Sequence, residues 1–581
     1  MRHCTESTFA SHDGTALFYR HWPAAGASRG AVVLFHRGHE HGGRTAHIAE
    51  EIDLPDFDVF AWDARGHGRS PGERGDSPSF GTSVRDVQAF IDHIGAAHGI
   101  TPERIAVVAQ SVGAVLAATW VHDYAPKIRA LVLASPAFQV KLYVPFARAG
   151  LRLMQALRGN FFVNSYVKAK FLTHDPARIA SYETDPLVAR PISVRILLGL
   201  YDAAERVVED AQAIPVPTQL LVSGADFVVH QGPQHRFFER LGTPIKEKHV
   251  LPGFFHDTLG EKDRHIALAK VRRFVLQRFE APLEIPDLRR SHEASESQIE
   301  SDALAAPLPW WSPRAWYWAM TKASLRFGAL FSKGLTLGED TGYDSGSTLD
   351  FVYRDRAESG NPIGKLIDRV YLGSIGWRGI RVRKRHVEAL LRRAMAQLRA
   401  AGQPVRVMDI AAGHGRYALE FFADAGQRPD AILLRDYSPL NVEQGRALID
   451  AKGLRGIARF EQADAFDRAQ VAGAQPAPTL GIVSGLYELF PDNTLLEASL
   501  AGLADAIPVG GYLVYTGQPW HPQLELIARG LTSHRQGAAW VMRRRSQREM
   551  DQLVEAAGFR KLEQRIDEFG IFTVSLAQRV A

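Results

Sequence analysis

Residues 104–118 have the sequence RIAVVAQSVGAVLAA, a short apolar run, a serine between small residues, and an alanine-rich stretch. The apolar run has the length and β-branched content of a buried strand, and the alanines favour a helix. Small residues two positions before and two positions after Ser111 permit the tight strand-to-helix turn that exposes a nucleophilic serine. These residues are Ala109 and Gly113. A serine that only caps a helix has the same local sequence, so Ser111 needs further support.

Similar short apolar runs lie on both sides of this stretch. They are AVVLF (31–35), VFAW (59–62), ALVLA (130–134) and TQLLV (218–222). Between two of them, Val84, Val87, Ile91 and Ile94 have the spacing of one helix face. Strands that alternate with helices predict a doubly wound sheet of the α/β class.

An acid and a histidine follow the last two predicted strands of this half. Asp226 comes directly after TQLLV, and His256 follows the run KHVL (248–251). The chain order serine, acid, histidine is that of an α/β-hydrolase. In such a set the imidazole takes the serine proton, and the carboxylate holds the imidazole in the correct tautomer. The predicted catalytic residues are Ser111, Asp226 and His256, with Asp257 as a less suitably placed competing acid.

The stretch DARGHGRSPG (63–72) resembles the D-x-x-G-H-G-x-S-x-G signature of the monoglyceride lipase and lysophospholipase-like hydrolases. Residues 39–44, 135–138, 184–188 and 256–261 also resemble that family, so the likeness covers about residues 10–275. The resemblance implies an α/β-hydrolase fold with a helical cap at about 136–200. It also implies a small-molecule ester substrate, with lipid esters favoured, and an oxyanion hole formed by the amides of Gly38 and Val112.

Apolar side chains of the implied cap are candidates for an acyl-chain pocket or for the core of the cap itself. They are Phe138, Val140, Leu142, Val144, Phe146, Phe161, Phe162 and Phe171.

The segment around residue 37 departs from the family, because its His-Gly pair is here His36-Arg37. Arg37 either binds an anionic group of the substrate or points to solvent, and we favour solvent. His36, His39, Glu40 and His41 have the residue types of metal ligands, but their spacing matches no metal motif. We therefore predict a hydrogen-bonded loop and no metal.

Residues 405–415 open a second series of strands and helices with the sequence VRVMDIAAGHG. A strand is followed there by an acid, small residues and a G-x-G at the start of the helix RYALEFF. Glycines let the backbone approach a ligand closely, and a helix N-terminus favours negative charge. The stretch GHGRYA (413–418) also matches the G-x-G-x-x-A fingerprint of dinucleotide-binding domains.

Three aspartates at strand ends favour S-adenosylmethionine over a nicotinamide cofactor. Asp409 ends the first strand, Asp436 ends AILLRD (431–436), and Asp464 follows ARFEQ (458–462). Asp436 is placed to bind both ribose hydroxyls, and Asp464 or Ala465 to meet the adenine edge. The final segment, 558–578, predicts a strand hairpin that nicotinamide domains lack. The predicted cofactor-binding residues are Asp409, Ala411, Gly413, Gly415, Asp436, Asp464 and Ala465.

This pattern resembles the class I methyltransferases, which have a Rossmann-like doubly wound fold, over about residues 346–581. The whole chain resembles the bacterial fusions of a hydrolase with a methyltransferase. The resemblance implies S-adenosylmethionine as cofactor and an unknown, lipid-derived acceptor bound above the loops after the fourth and fifth strands. The acceptor-pocket candidates in those loops are Tyr487, Glu488, Trp520 and His521.

The predicted organisation is a hydrolase domain (1–283), a linker with an aromatic and basic helix (284–345), and a methyltransferase domain (346–581). Residues 287–306 are polar and lack aromatics, which is typical of a linker. Residues 309–333 include four of the ten tryptophans and an apolar helix face bordered by cations. We predict that this segment either contacts an anionic membrane from the inner face or is buried between the domains.

Composition narrows the remaining choices. The chain has 581 residues, one cysteine (Cys4), no signal-peptide pattern and no apolar run long enough to span a membrane, so the expected location is the cytoplasm. The formal charge is only +5, and the basic runs 381–385 and 543–548 are interpreted as solvated helix faces.

Two alternative functions remain open. An RNA methyltransferase would use the arginine runs, but no RNA-binding module is recognisable and no nucleic acid is expected as a partner. Alternatively, the hydrolase half is an inactive ligand-binding module, which Arg37 and Ala109 allow and the complete set of serine, acid and histidine opposes.

Overall fold

The structure is a computed structural model that describes residues 2–141, 144, 146–164, 167–535 and 537–581. Leu142, one of the apolar residues named for the cap, lies outside the described residues. The chain divides into two compact units, Met1–Pro286 and Asp287–Ala581. Each unit has its own central sheet flanked by helices, so the predicted class of two doubly wound α/β domains is confirmed.

The first unit is built on an eight-stranded sheet and a separate two-stranded hairpin. The sheet has the order β1-β2-β4-β3-β5-β6-β9-β10, and all neighbours from β4 to β10 are parallel. Strands β3 to β6 and β9 are buried along their whole length, which explains their continuous apolar sequences. The strands are β1 (Thr5–Ala10), β2 (Ala16–Trp22), β3 (Gly30–Phe35), β4 (Phe57–Trp62), β5 (Ile105–Gln110), β6 (Ala130–Ala134), β7 (Phe162–Asn164), β8 (Pro191–Ser193), β9 (Thr218–Ser223) and β10 (Lys246–Leu251).

Helices cover this sheet and form the cap. They are α1 (Ala46–Glu51), α2 (Phe80–His98), α3 (Val112–Tyr124), α4 (Ala147–Arg158), α5 (Pro176–Thr184), α6 (Val194–Glu209), α7 (Gln231–Arg240) and α8 (Arg264–Glu280). Helix α2 begins where the Ser79 side chain accepts from the Thr82 amide, and it ends at Gly99, whose φ is +67°. The predicted apolar face of α2 is buried.

The predicted cap region, 136–200, contains α4, α5, the β7–β8 hairpin and the start of α6. The prediction for its apolar side chains is wrong for Val144 and Phe146, which are 67% and 91% exposed. Phe138 is buried against Phe237 instead of lining a pocket. The cap lies apart from the central sheet, so strand or helix spacing gives no reliable guide to which of its apolar residues point inward.

The second unit is built on a seven-stranded sheet with the order β13-β12-β11-β14-β15-β17-β16. The first five strands in that order are parallel, and β17 is antiparallel to both of its neighbours, as the predicted terminal hairpin requires. The strand order reverses between β11 and β14, which is where open α/β sheets bind ligands. The strands are β11 (Arg406–Asp409), β12 (Ala431–Asp436), β13 (Ala458–Gln462), β14 (Leu480–Val483), β15 (Tyr512–Gly517), β16 (Phe559–Ile566) and β17 (Thr573–Arg579).

Many helices surround the second sheet, and several of them precede its first strand. Helix α15 packs its apolar face on the sheet through buried side chains such as Val387, Leu391 and Met395. The helices are α9 (Ser291–Ala294), α10 (Glu296–Ala305), α11 (Pro313–Ala329), α12 (Lys333–Thr341), α13 (Gly346–Arg354), α14 (Pro362–Leu372), α15 (Ile375–Ala400), α16 (Arg416–Ala423), α17 (Pro439–Ala451), α18 (Arg468–Ala472), α19 (Asn493–Ala506), α20 (Leu524–Gly530) and α21 (Gln547–Ala556).

Residues 287–306, predicted as a linker, form α9 and α10 and belong to the second unit. Their backbone is held by polar side chains of that unit: Asn493 donates to the Arg289 carbonyl at 2.7 Å, and Arg529 donates to the Ala303 carbonyl at 3.0 Å. The polar composition that predicts a linker here belongs to a segment anchored by hydrogen bonds and by an apolar contact, the packing of Leu304 on the core.

The basic run 543–548 is not the solvated face that its composition predicts. The Arg543 side chain is fully buried, and its guanidinium contacts Glu549 at 2.5 Å and Asn493 at 2.9 Å. Arg544 pairs with Glu300 at 2.6 Å, and burial lowers the pKa of Arg545 to about 10. One acidic partner, Glu549, directly follows the run, but Glu300 and Asn493 come from distant segments of the chain, so the run alone gives no sign of burial.

Within the described ranges, no helix is both long enough and apolar enough to cross a bilayer.

Candidate active sites

Ser111 lies at the sharp turn between β5 and α3, with φ +57° and ψ −118°. This conformation is costly for a residue with a side chain and is typical of functional turns. A Cβ at Gly113 would lie 2.4 Å from the His36 carbonyl oxygen, so no larger residue fits there. Ala109 is fully buried in β5 between β3 and β6.

The structure brings Ser111, His256 and Asp226 together. The distance from Ser111 Oγ to His256 Nε2 is 2.7 Å, and His256 Nδ1 lies 2.8 Å from Asp226 Oδ2. All three side chains are buried. Burial raises the pKa of the Asp226 carboxyl. The contact with His256 and the hydrogen bonds from the Val228 and Val229 amides lower this pKa by more than burial raises it, so the net shift is downward. The carboxylate is therefore charged and able to orient the imidazole.

The competing acid, Asp257, is directed elsewhere. Its Oδ1 accepts from the Gln110 amide at 3.1 Å, and its Oδ2 accepts from Arg178 Nε at 3.0 Å. Arg37 lies 3.4 Å from the same oxygen. Asp257 thus helps fix the loop that carries His256.

The two residues predicted for the oxyanion hole lie beside Ser111. Gly38 and Val112 line the same cavity as Ser111 and His256, whose volume is about 130 Å³. A Cβ at Gly38 would lie 2.9 Å from Val112 Cγ2, so the loop after β3 and the start of α3 approach closely. The cavity wall is otherwise largely apolar and includes Val140 of the predicted cap set, together with Val163, Leu172, Ile192, Leu197, Leu200 and Val228.

Arg37 does not point to solvent, so that prediction is wrong. Its guanidinium forms two hydrogen bonds to Glu40, from Nε to Oε2 at 3.0 Å and from Nη2 to Oε1 at 2.6 Å. Glu40 also accepts from Arg44 Nε at 2.7 Å. All of these groups are buried. The cation is held in an ionic network under the loop that carries Gly38, because buried charges persist only when they are paired.

The histidines near Arg37 also have protein partners. His36 Nε2 accepts from the Ala64 amide at 3.1 Å, His39 Nδ1 lies 2.8 Å from the Ala189 carbonyl, and His41 Nε2 lies 3.0 Å from Asp185. Burial lowers the pKa of His39 to about 4, so its ring is neutral. No group of three or more metal-ligating side chains occurs in the part of the chain that the structure describes.

The loop after β11 forms one wall of a cavity of about 600 Å³ in the second unit. Gly413 and Gly415 have φ of +59° and +75°, a region that favours glycine. Six of the seven predicted cofactor-binding residues line this cavity: Ala411, Gly413, Gly415, Asp436, Asp464 and Ala465. Residues of α13, which precedes the first strand of this sheet, line it as well.

Asp436 organises this loop. Its Oδ2 accepts from the Gly413 amide at 2.9 Å, and its Oδ1 accepts from the Ser438 amide at 2.9 Å and from Asn441 Nδ2 at 3.0 Å. Burial raises the pKa of Asp436. A carboxylate has about four acceptor sites, so capacity for a ligand hydroxyl remains.

Asp409 differs from the other predicted residues, because it is fully buried and does not line the cavity. It accepts hydrogen bonds from the Tyr417 hydroxyl and from the Ala411 amide. Burial raises its pKa to about 7. Its contacts fix the first turn of the loop, which is a supporting position and not a contact with a ligand.

A second cavity of about 310 Å³ adjoins the first and is lined mainly by apolar and aromatic side chains. Of the four acceptor-pocket candidates, Glu488 and His521 line it. The prediction is wrong for Tyr487, which is buried with its hydroxyl 3.0 Å from Ser499 Oγ. It is also wrong for Trp520, which lies against the Arg544 guanidinium. Neighbouring residues of a loop point in different directions, so only alternate candidates reach the cavity.

Comparison with known proteins identifies both units. Residues 271–579, more than half of the chain, match a family described as "Putative methyltransferase". The chain belongs to this family. Residues 26–263 match a second family, described as "Serine aminopeptidase, S33". The chain is thus a fusion of an α/β-hydrolase unit with a unit of the methyltransferase family, as its resemblance predicts.

Similar proteins include one that matches the whole length and several that match the hydrolase unit alone. "Uncharacterized protein YnbC" of Escherichia coli is 55% identical over 577 residues, covering 99% of this chain and 98% of the relative. The monoacylglycerol lipase of Mycolicibacterium smegmatis is 27% identical, covering 47% of this chain and 97% of the lipase. The monoglyceride lipase of Mus musculus is also 27% identical, covering 42% and 80%.

The methyltransferase-family unit has cavity residues that the sequence did not single out. Arg383, Trp377 and Trp540 line the second cavity, although they lie far from the loops after β14 and β15 in sequence. Trp377 and Arg383 come from α15, and Arg383 belongs to the basic run 381–385. The sequence signal for a place in the cavity wall is that Arg383 falls on the apolar, buried face of α15.

Proposed function

We propose that the first unit is a serine hydrolase of carboxylic esters, with a monoacylglycerol or a lysophospholipid as its substrate class. The observation that carries this proposal is the continuous contact from Ser111 Oγ through the His256 ring to Asp226, at 2.7 and 2.8 Å. The largely apolar cavity beside Ser111 suits an acyl group. The names of the relatives, monoacylglycerol lipase and monoglyceride lipase, support the lipid class.

The geometry assigns a role to each side chain. His256 Nε2 takes the proton of Ser111 as Oγ forms a bond to the ester carbonyl carbon. Asp226 accepts from His256 Nδ1–H and stabilises the charged ring, while the amides of Gly38 and Val112 stabilise the oxyanion. His256 then gives the proton to the departing alcohol as the ester C–O bond breaks. Water repeats the sequence on the acyl-serine and releases the acid.

Hydrolysis of p-nitrophenyl esters by the full chain tests this role. Ser111→Ala should lower kcat by at least about 1,000-fold, because the nucleophile is lost. His256→Ala should have a similar effect, whereas His265→Ala, at an exposed position of α8, should have none. A fluorophosphonate probe should label the wild-type chain and fail to label Ser111→Ala. Undiminished hydrolysis by Ser111→Ala would reject the proposal in favour of an inactive binding module.

We further propose that the second unit binds S-adenosylmethionine in the cavity of about 600 Å³ and transfers its methyl group. The residues fit this group: Gly413 leaves room beside the backbone, since a Cβ there would meet only the Cα of Gly346 at 3.4 Å, and Gly415 lets the turn pack closely on Leu434. Asp436 has one acceptor site left for a ribose hydroxyl, and Asp464 and Ala465 line the same cavity, where we propose that they meet the adenine. When bound, the cofactor supplies an electrophilic methyl group on a sulfonium.

Calorimetry distinguishes this cofactor from a nicotinamide. S-adenosylmethionine and S-adenosylhomocysteine should each bind one site per chain, and NADH should not bind. Asp436→Ala should weaken binding by about 1–3 kcal/mol, since it leaves hydrogen-bonding groups of the ligand unpaired. Asp450→Ala, an exposed position of α17 paired with Arg455, is the matched control and should bind normally. Binding of NADH that Asp436→Ala abolishes would replace the methyltransferase proposal with a dehydrogenase.

We also propose that the chain contacts a membrane through residues 309–333. The aromatic side chains of this segment are exposed, with Trp310 at 76%, Trp311 at 68% and Trp316 at 60%. Tryptophan favours the headgroup zone of a bilayer, and cations such as Lys322 and Arg326 on the same helix suit anionic lipid. A lipid-derived substrate for either unit is consistent with this contact.

A further inference from the structure

The cavity of about 310 Å³ in the second unit is placed to hold the methyl acceptor. It shares four wall residues with the cavity proposed for S-adenosylmethionine: Asp344, Leu349, Gly485 and Leu489. The two spaces therefore meet at the loop after β14. The volume lies at the lower end of the range for small-molecule sites.

The walls of this cavity are largely apolar, and its charged side chains already have partners within the chain. Arg383 Nη1 lies 3.4 Å from Glu488 Oε1, and both side chains are buried. Asp344 accepts from Ser533 Oγ and from the His534 amide, both at 2.6 Å. A charged ligand would lose its hydration here and would have to compete with these contacts to replace it. The cavity thus favours an uncharged molecule.

His521 adds a neutral donor to the wall. Its Nδ1 accepts from the Gln523 amide at 3.0 Å, so the ring proton of the neutral form is on Nε2. Burial lowers the pKa of His521 to about 4, which keeps the ring neutral at physiological pH. A Cβ at Gly376 would lie 3.1 Å from Nε2, so only glycine leaves this nitrogen unobstructed.

Four buried polar atoms on residues of the wall lack a hydrogen-bond partner among the described residues. They are Tyr371 Oη, Arg383 Nε, Glu488 Oε2 and Trp540 Nε1, and Glu488 Oε2 is the one carboxylate oxygen among them. The other oxygen of Glu488 is fixed, since it accepts from Thr516 Oγ1 at 2.9 Å, and Thr516 Oγ1 in turn accepts from the Gly485 amide at 2.9 Å. A buried polar atom without a partner is costly, and a ligand that supplies one gains that free energy on binding.

We infer that this cavity binds an uncharged, mainly apolar molecule through a single hydroxyl group, which donates to Glu488 Oε2 and is the methyl acceptor. The inference rests on the proposed methyltransferase function. The indole N–H of Trp540 donates to a second oxygen of the ligand or to the hydroxyl itself. Glutamate has a soft terminal torsion, so a small rotation directs Oε2 toward the ligand.

The reaction balances with this arrangement. A lone pair of the acceptor oxygen forms the new C–O bond as the methyl–sulfur bond breaks and its electron pair stays on sulfur. The hydroxyl proton moves to Glu488 Oε2, leaving a neutral ether. Arg383 and Thr516 are the partners of the other oxygen, Oε1.

The opening of the cavity agrees with an apolar ligand. Leu325 of α11 and Val370 of α14 line it, and Val370 is 70% exposed. Helix α11 is the helix proposed to contact a membrane. An acceptor dissolved in lipid would therefore reach the cavity along an apolar surface.

Binding of matched naphthalene probes to the full chain, measured by calorimetry without S-adenosylmethionine, tests the inference. 1-Naphthol should bind at least about tenfold more tightly than 1-naphthoate and than (1-naphthylmethyl)ammonium. Trp540→Phe and Glu488→Gln should each weaken 1-naphthol binding by about tenfold, because each removes one hydrogen-bonding group. The controls are Trp310→Phe and Glu525→Gln, which change residues outside the cavity wall and should bind 1-naphthol normally.

Equal or tighter binding of 1-naphthoate would overturn the inference, as would 1-naphthol binding that neither cavity variant changes. Glu488→Gln removes the carboxylate that pairs with Arg383, so this variant can fail to fold. Trp540→Phe leaves that ion pair intact and therefore serves as a second test of the cavity. A titration with S-adenosylmethionine on the same samples separates the two proposals. If 1-naphthol binds as expected and S-adenosylmethionine does not, the methyltransferase function fails while the hydroxyl-binding cavity stands.

Discussion

The backbone strain at Ser111 can be tested by measuring stability, which does not depend on activity. Its φ of +57° and ψ of −118° are unfavourable for residues with a Cβ, at a cost of order 1–3 kcal/mol. Ser111→Gly should therefore be more stable to denaturant than Ser111→Ala, by about 1 kcal/mol, although both remove the nucleophile. The same pair at Ser83, within helix α2, should show the opposite order, since glycine weakens a helix. Equal stability of the two Ser111 variants would argue against a strained turn.

Arg37 should matter for stability. Its removal leaves buried Glu40 and Asp257 with only Arg44 and Arg178 as cationic partners. We expect Arg37→Ala to lower the free energy of unfolding of the first unit by about 2 kcal/mol or more. Arg69→Ala, which breaks an exposed ion pair with Glu6, should cost at most about 1 kcal/mol. Urea denaturation measures both, and a loss at Arg37 no larger than at Arg69 would contradict the buried network.

Asp409 should make the second unit sensitive to pH. The unfolded carboxyl has a pKa of about 3.9, and burial raises it to about 7 in the folded chain. The stability associated with the bound proton is fully present below about pH 4 and is lost as the pH rises through 7. Asp409→Asn keeps an acceptor for the Tyr417 hydroxyl and cannot ionise.

The variant should therefore gain stability over the wild type at pH 8 and much less at pH 5. Calorimetric unfolding at the two pH values measures this difference in stability. The transition to follow is that of the second unit, which is identified as the one that S-adenosylmethionine shifts. Asp450→Asn, an exposed aspartate on α17, is the control. A gain of the same size at both pH values would show that Asp409 is ionised in the folded chain.

At the scale of elements, helix α11 carries the membrane proposal. Replacing Trp310, Trp311 and Trp316 by alanine should abolish sedimentation of the chain with phosphatidylglycerol vesicles at low salt, because these side chains supply the buried apolar area. A pair of exposed valines elsewhere in the second unit, Val509 and Val580, provides control substitutions. Wild-type protein should bind phosphatidylcholine vesicles weakly. Sedimentation that persists in the tryptophan variant would exclude this helix as the contact.

Strands β3 to β6 and β9 could be predicted from sequence because buried parallel strands are continuous apolar runs. Strand β1 gave no such signal, since five of its six residues are exposed at the sheet edge. Helices α9 and α10 were missed because their polar sequence is held by Asn493 and Arg529, which are remote in the chain. The site residues followed the strands: Ser111, Asp226 and His256 end or follow strands, whereas Arg383 and Trp540 come from a helix and a loop.

At the scale of the whole molecule, each set of site residues lies within one of the two units. Ser111, Asp226 and His256 all lie within Met1–Pro286, and Gly413, Gly415 and Asp436 all lie within Asp287–Ala581. Each unit has a separate sheet and a separate hydrophobic core. We therefore expect the two sites to bind their ligands without requiring one another.

The most direct test is calorimetric titration of S-adenosylmethionine into full-length protein that a fluorophosphonate has labelled to completion. The labelled chain should carry one adduct, on Ser111, as intact mass and peptide mapping establish. It should still bind one S-adenosylmethionine per chain with the Kd of the unlabelled protein. A chain that takes no adduct at Ser111, or that binds NADH in place of S-adenosylmethionine, would contradict the account of a serine hydrolase fused to a methyltransferase.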